Sequence, residues 1–128
     1  MKTLPHPALE EIELARVLEA LSDPTRLAVV AFLASDVARN FEPRCGDFTT
    51  FGSKTNLTYH LAKLREAGVT STRLSGTSRF ISLRRDDLEA RFPGLLTSLI
   101  AAAMAEPERA ALVKQAEDEA RELMGERA

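Results

Sequence analysis

The sequence predicts a mainly α-helical fold with a small β-hairpin, and three observations predict it. Apolar residues recur at helical spacing on both sides of the middle of the chain. Residues 53–68 carry both the start and the stop signal of a helix. Two alternating, β-branched runs follow that helix directly.

Taken in order, residues 1–7 contain Pro5 and Pro7 and read as an irregular arm. Over residues 7–21 the apolar positions Leu9, Ile12, Val17, Leu18 and Leu21, with Ala8 and Ala15, predict a first helix, and Glu10, Glu11, Glu13 and Glu19 take its other face. Asp23 is placed to cap and Pro24 to start a second helix reaching about Ala34, with Leu27, Val30, Ala31 and Leu33 turned inward. Residues 36–52 are the least determined stretch. Positions 37–41 either finish the second helix or form a turn, Pro43 and Gly46 break any long helix, and Phe48 and Phe51 are expected to anchor a connector to the core.

Next comes the central helix. Ser53 is its N-cap, Gly68 its left-handed stop, and Leu57, Leu61 and Leu64 fall at i, i+4 and i+7 as one apolar stripe. Its other face carries Lys54, Thr55, Asn56, Thr58, Tyr59, His60 and Lys63, with no acid before Glu66. Residues 69–74 and 79–83 then alternate as strands around 75–78, a hairpin with Arg73 and Arg79 at or beside its tip. Asp86, Asp87 and Leu88 open a short helix ending near Phe92. An apolar helix follows with Leu95, Leu96, Leu99, Ile100 and Met104, and Pro107 starts a last one rich in Glu and Arg outside.

Composition narrows the function classes. The 128 residues fit a single domain, 45% apolar content is ordinary for a globular chain, and no apolar run approaches the roughly 18 residues of a membrane span. No signal core follows Met1, and the lone Cys45 excludes an internal disulfide framework, so a cytoplasmic protein is expected. The net charge of −2 hides an asymmetry: residues 44–85 hold eight Lys/Arg against two acids, a net +6, leaving −8 for the rest. A basic middle between acidic flanks points to a polyanion partner. Two distant histidines and no Gly-rich phosphate loop give no enzyme constellation.

The order helix, helix, connector, basic helix, arginine-bearing hairpin, helices is the plan of a winged helix-turn-helix. At this point a family resemblance emerges. Residues 18–27, with Leu21-Ser22-Asp23-Pro24-Thr25-Arg26-Leu27 intact, resemble the opening signature of the ArsR family of bacterial repressors. Residues 53–69 resemble its recognition helix, and residues 75–83, including Thr77 and Ser78, resemble its wing. The resemblance covers roughly residues 8–92. It implies a homodimeric regulator of a palindromic operator in double-stranded DNA, released by a signal. The whole chain, 1–128, is then one winged-helix domain, with 8–22 and 94–125 as dimerisation helices and 23–85 as the DNA-binding part. The first and last helices are expected to carry the exposed apolar stripes of the dimer.

Within this reading Lys54, Thr55, Asn56 and Tyr59 enter the major groove, with Asn56 suited to adenine and Thr55 to a thymine methyl. Thr58, His60 and Lys63 suit phosphates, His60 having the alternative of a bond to a neighbouring carbonyl. Arg73 and Arg79 suit phosphates or the minor groove, against plain solvation. Asp23 and Arg26 are read as structural, a cap and a salt bridge to a neighbouring element. The rival reading is a winged helix that binds protein, which calls for an apolar or acidic face. No cofactor and no metal is expected: Cys45 has no Cys-x-Cys partner and the C-terminal helices have no histidine for the family's Asp/His site. Cys45 beside Arg44 is a candidate redox position, since a neighbouring cation lowers a thiol pKa. A small-molecule effector among the terminal helices also stays open. The chain departs from the family at 40–52, where a shortened helix-turn-helix is expected.

Overall fold

A computed structural model describes residues 4–127. The helices are α1 (Leu14–Leu21), α2 (Pro24–Leu33), α3 (Asp36–Phe41), α4 (Lys54–Glu66), α5 (Arg85–Arg91), α6 (Leu95–Met104) and α7 (Pro107–Arg127), with a hairpin of β1 (Thr70–Ser75) and β2 (Ser78–Leu83) between α4 and α5. This is the winged helix-turn-helix arrangement.

The caps sit where the sequence puts them. Asp23 accepts from the Arg26 N–H at 3.0 Å to start α2, and Ser53 accepts from the Asn56 N–H at 3.3 Å to start α4. Leu57, Leu61 and Leu64 are buried on the inner side of α4. Gly68 follows with φ +85°, and a Cβ there would stand 2.7 Å from Ile12 Cγ1. Both facts demand glycine. The hairpin is antiparallel with Ser75 opposite Ser78, so two residues make its turn, and of these Gly76 has φ +61°. That is the signature of a type II′ turn, whose twist matches the strands.

Two segments differ from expectation. The first helix is not continuous: a 3₁₀ turn, Leu9–Glu11, is followed by extended Ile12 and Glu13 before α1 begins. The break drives Ile12 into the core beside Gly68, 1% exposed, and frees its carbonyl to accept from Arg91. That tertiary gain outweighs helical periodicity. The undetermined stretch becomes α3, capped by the Ser35 hydroxyl on the Ala38 N–H at 3.2 Å, and then a 3₁₀ connector, Cys45–Phe51, bent at Phe48. The connector occupies the place of the first helix of the helix-turn-helix pair. Phe48 and Phe51 pin it to Phe32 of α2, each ring centroid 5.9 Å away.

The hairpin has company on both edges. Ile81 N–H donates to the Pro43 carbonyl at 2.8 Å and Arg44 forms an isolated antiparallel bridge to Phe80, so the chain before the connector covers the edge of β2. On the other side the Thr72 N–H donates to His6 Nε2 at 3.0 Å. The N-terminal arm, of which residues 1–3 lie outside the described part, is therefore laid against β1. The last helix also departs from expectation: Val113, Ala116 and Ala120 of α7 are buried against α2, α3 and the connector of the same protomer. No helix among the described residues is long and apolar enough to cross a membrane.

Candidate nucleic-acid interface

The polar face of α4 stands clear of the protein. Lys54, Thr55, Asn56, Thr58, Tyr59 and Lys63 are all exposed, Tyr59 at 56%. Because the apolar stripe at Leu57, Leu61 and Leu64 fixes the inward side, the remaining positions present as one surface at the helix N-terminus. Lys63 Nζ lies 5.5 Å from the Tyr59 ring centroid, which steadies both side chains. The Thr58 hydroxyl donates to the Lys54 carbonyl at 2.9 Å, which leaves its oxygen free to accept a further hydrogen bond.

His60 is the member of the predicted set that turns away. Only 15% of its side chain is exposed, and Nδ1 sits 3.0 Å from Arg26 Nη1 and 3.9 Å from Asp23 Oδ1. A guanidinium only donates, so Nδ1 accepts and the ring proton belongs on Nε2. Arg26 also donates from Nε to the Ala20 carbonyl at 2.6 Å. The Asp23–Arg26 signature thus ties α1, α2 and α4 together through hydrogen bonds to a carbonyl and an imidazole, rather than through the expected salt bridge.

The two wing arginines separate. Arg79 pairs with Leu74 and shares a hairpin face with Thr72 and Ile81, the face turned to α4. Arg73 pairs with Phe80 on the opposite face, its guanidinium 4.6 Å from the Phe80 centroid and 3.4 Å from Glu42 Oε1. Thr77 and Ser78 stand at the tip, on the rim of the groove that Arg79 enters.

That groove, about 640 Å³ between the connector, α4 and the hairpin, was missed at the sequence level as a unit. It is lined by Lys54, Arg65, Arg79 and Arg127 with Cys45, and by Arg44, whose guanidinium lies 5.5 Å from the Phe80 centroid on the other face of the hairpin; Asp47 is the acid lining it. The spacing that could have revealed the α4 side is Lys54, Thr58, Leu61 and Arg65, a single stripe at i, i+4, i+7 and i+11. Asp47 is already committed: it accepts from the Arg44 N–H at 2.9 Å and takes Arg127 in a two-pronged pair at 2.9 and 3.0 Å. This contact holds the Arg127 guanidinium above its ordinary pKa.

Cys45 behaves differently from the expectation. Burial is the largest influence and pushes the thiol pKa up. Arg79 and Arg65, not the adjacent Arg44, supply the opposing pull, and it is the weaker one. The resting group is therefore a protonated thiol, not an activated thiolate. Among the described residues no group of three or more His, Cys, Asp and Glu side chains is gathered for a metal.

No protein-family model matches the chain. It is 37% identical over 90 residues to YceK of Bacillus subtilis (strain 168), an uncharacterized HTH-type transcriptional regulator, and the match spans 66% of this chain and 84% of that protein.

Proposed function

Because the chain belongs to the helix-turn-helix transcriptional regulators, which bind DNA, we propose that it is a homodimeric repressor of the ArsR type acting on a palindromic operator. In this reading the chain is one winged-helix domain, with residues 23–85 meeting the DNA. The observation that carries it is the exposed set Lys54, Thr55, Asn56 and Tyr59 on α4, with Lys54 also lining the groove that Arg79 of the hairpin enters. Lys54, Thr55, Asn56 and Tyr59 read the major groove, Asn56 by a bidentate pair with adenine. Thr58, Lys63, Thr77, Ser78 and Arg79 hold the backbone. His60 supports them by fixing α4 to α2, and Arg73 lends the wing stiffness from its outer face. A protein-binding role would want an apolar or acidic face, and α4 offers neither before Glu66.

Dimerisation in this reading uses α1 and α6. Leu14 and Leu18 of α1 are 44% and 43% exposed one helical turn apart, and Leu95 and Leu99 of α6 lie beside Val17 and Leu21 of the same helix. The apolar side of α7 is spent inside the protomer, so that helix contributes little to the dimer.

The test is a binding titration against the DNA upstream of the protein's own gene over a range of salt. Asn56→Ala should relax base choice at one or two positions, costing roughly 1–3 kcal/mol of discrimination. Arg79→Ala should weaken all sequences alike and lower the salt slope by about one. Arg73→Ala should change it less. Wild-type binding by both Asn56→Ala and Arg79→Ala would falsify the assignment.

A further inference from the structure

The groove between the connector, α4 and the hairpin holds more positive charge than the protein itself compensates. Asp47 is used up by Arg127 and the Arg44 N–H. Among the described residues Lys54, Arg65 and Arg79, which line the groove, have no acidic side chain within ion-pair distance. Arg65 is the most telling of these. Its Nε is sealed from solvent and has no hydrogen-bond partner, whereas buried donors in folded proteins are nearly always satisfied. Arg65 and Arg79 come from α4 and β2, yet both act electrostatically on Cys45, so their charges converge on the same floor. Leu61 and Ile81 line that floor and limit water around it, which strengthens any charge contact made there.

We propose that this groove is a phosphate subsite, in which Arg65, with Arg79, holds a phosphate group. Guanidinium forks match phosphate oxygens two at a time, and a groove lined by cations concentrates an anion. The phosphate has two sources of the same chemistry: a backbone phosphate of the DNA strand that passes between α4 and the hairpin, or the phosphate of a free small molecule. A free phosphate compound in the groove takes the cations that the strand needs, and so competes with DNA. The DNA source rests on the reading of α4 and the hairpin as the DNA-facing surface; the subsite itself does not.

Cys45 lies in the groove and reports on its occupancy. The full-length protein is alkylated with iodoacetamide in inorganic phosphate, in chloride of equal ionic strength, and with a DNA duplex. Phosphate at ten times its Kd is expected to slow alkylation of Cys45 about tenfold relative to chloride. In Arg65→Gln this ratio should fall to about one by the same relation, and in Arg65→Lys, which keeps the charge without the fork, it should lie between. Circular dichroism confirms that each variant is folded. Protection by phosphate and by DNA, both lost in Arg65→Gln, supports the subsite and the competition. Protection by DNA alone, lost in Arg65→Gln, supports the backbone source. Protection by phosphate in a protein that binds no DNA supports the subsite while the DNA reading fails. No protection by either, or protection that Arg65→Gln leaves intact, overturns the proposal.

Discussion

Cys45 and Arg79 show how much a residue's role depends on what the fold brings near it. The sequence places Cys45 next to Arg44 and suggests a lowered thiol pKa, but burial dominates and the thiol is pushed up. The sign has a consequence. A folded-state pKa above that of the unfolded chain means the thiol's contribution to stability is fully present below the unfolded value and is lost as pH rises through the folded one. Alkylation of Cys45 in the native protein should therefore need a higher pH than in urea, with a rate at neutral pH below that of the unfolded chain. A native thiol that reacts at the lower pH would show the cation pull to be the stronger. For the wing, the division of Arg73 from Arg79 was legible in principle. A two-residue turn sets Ser75 against Ser78, and the pleat then puts Arg73 and Arg79 on opposite faces. The burial of His60 was not legible, since its partners lie 34 and 37 positions away in the chain.

At the scale of elements, those with local signals were readable and those decided by tertiary contact were not. Asp23 with Pro24, Ser53 with Gly68, and the alternating runs about Gly76 each carry their own start or stop, and α2, α4 and the hairpin appear where these signals stand. The broken first helix has no such mark, because the reason for the break is Ile12 meeting Gly68 across the fold. The connector is similar: its 3₁₀ path follows from Phe48 and Phe51 reaching Phe32, not from propensity. Two substitutions rank these effects. Ser53→Ala removes a cap and should cost about 1 kcal/mol. Gly68→Ala meets both a positive φ and the Ile12 side chain at 2.7 Å, and should cost roughly 1–3 kcal/mol. Urea denaturation midpoints decide; equal midpoints for the two would mean the arm does not press on the end of α4.

For the whole molecule, exposed leucines gather at the N-terminal end after folding. Leu9, Leu14 and Leu18 remain more than a third exposed, while α7 lies along α2, α3 and the connector. Sedimentation of the wild-type protein at micromolar concentration should give a dimer, and Leu18→Glu should give a folded monomer with weaker operator binding, since each half-site then acts alone. A wild-type monomer would contradict the proposed interface. The sequence anticipated apolar stripes on both terminal helices because it could not show that Val113, Ala116 and Ala120 meet their own protomer.

The two occupied edges of the hairpin also bear on how copies of this protein meet. Beside β2 stand Pro43 and Arg44, and beside β1 the His6 imidazole takes the Thr72 N–H. An unpaired strand edge is a template for another chain, and a two-stranded hairpin would otherwise present two of them. With a proline-bearing segment on one side and a side chain in place of a strand on the other, neither edge welcomes a further strand. Strand exchange and fibril-like stacking through the wing are thereby discouraged, and self-association is left to the helices.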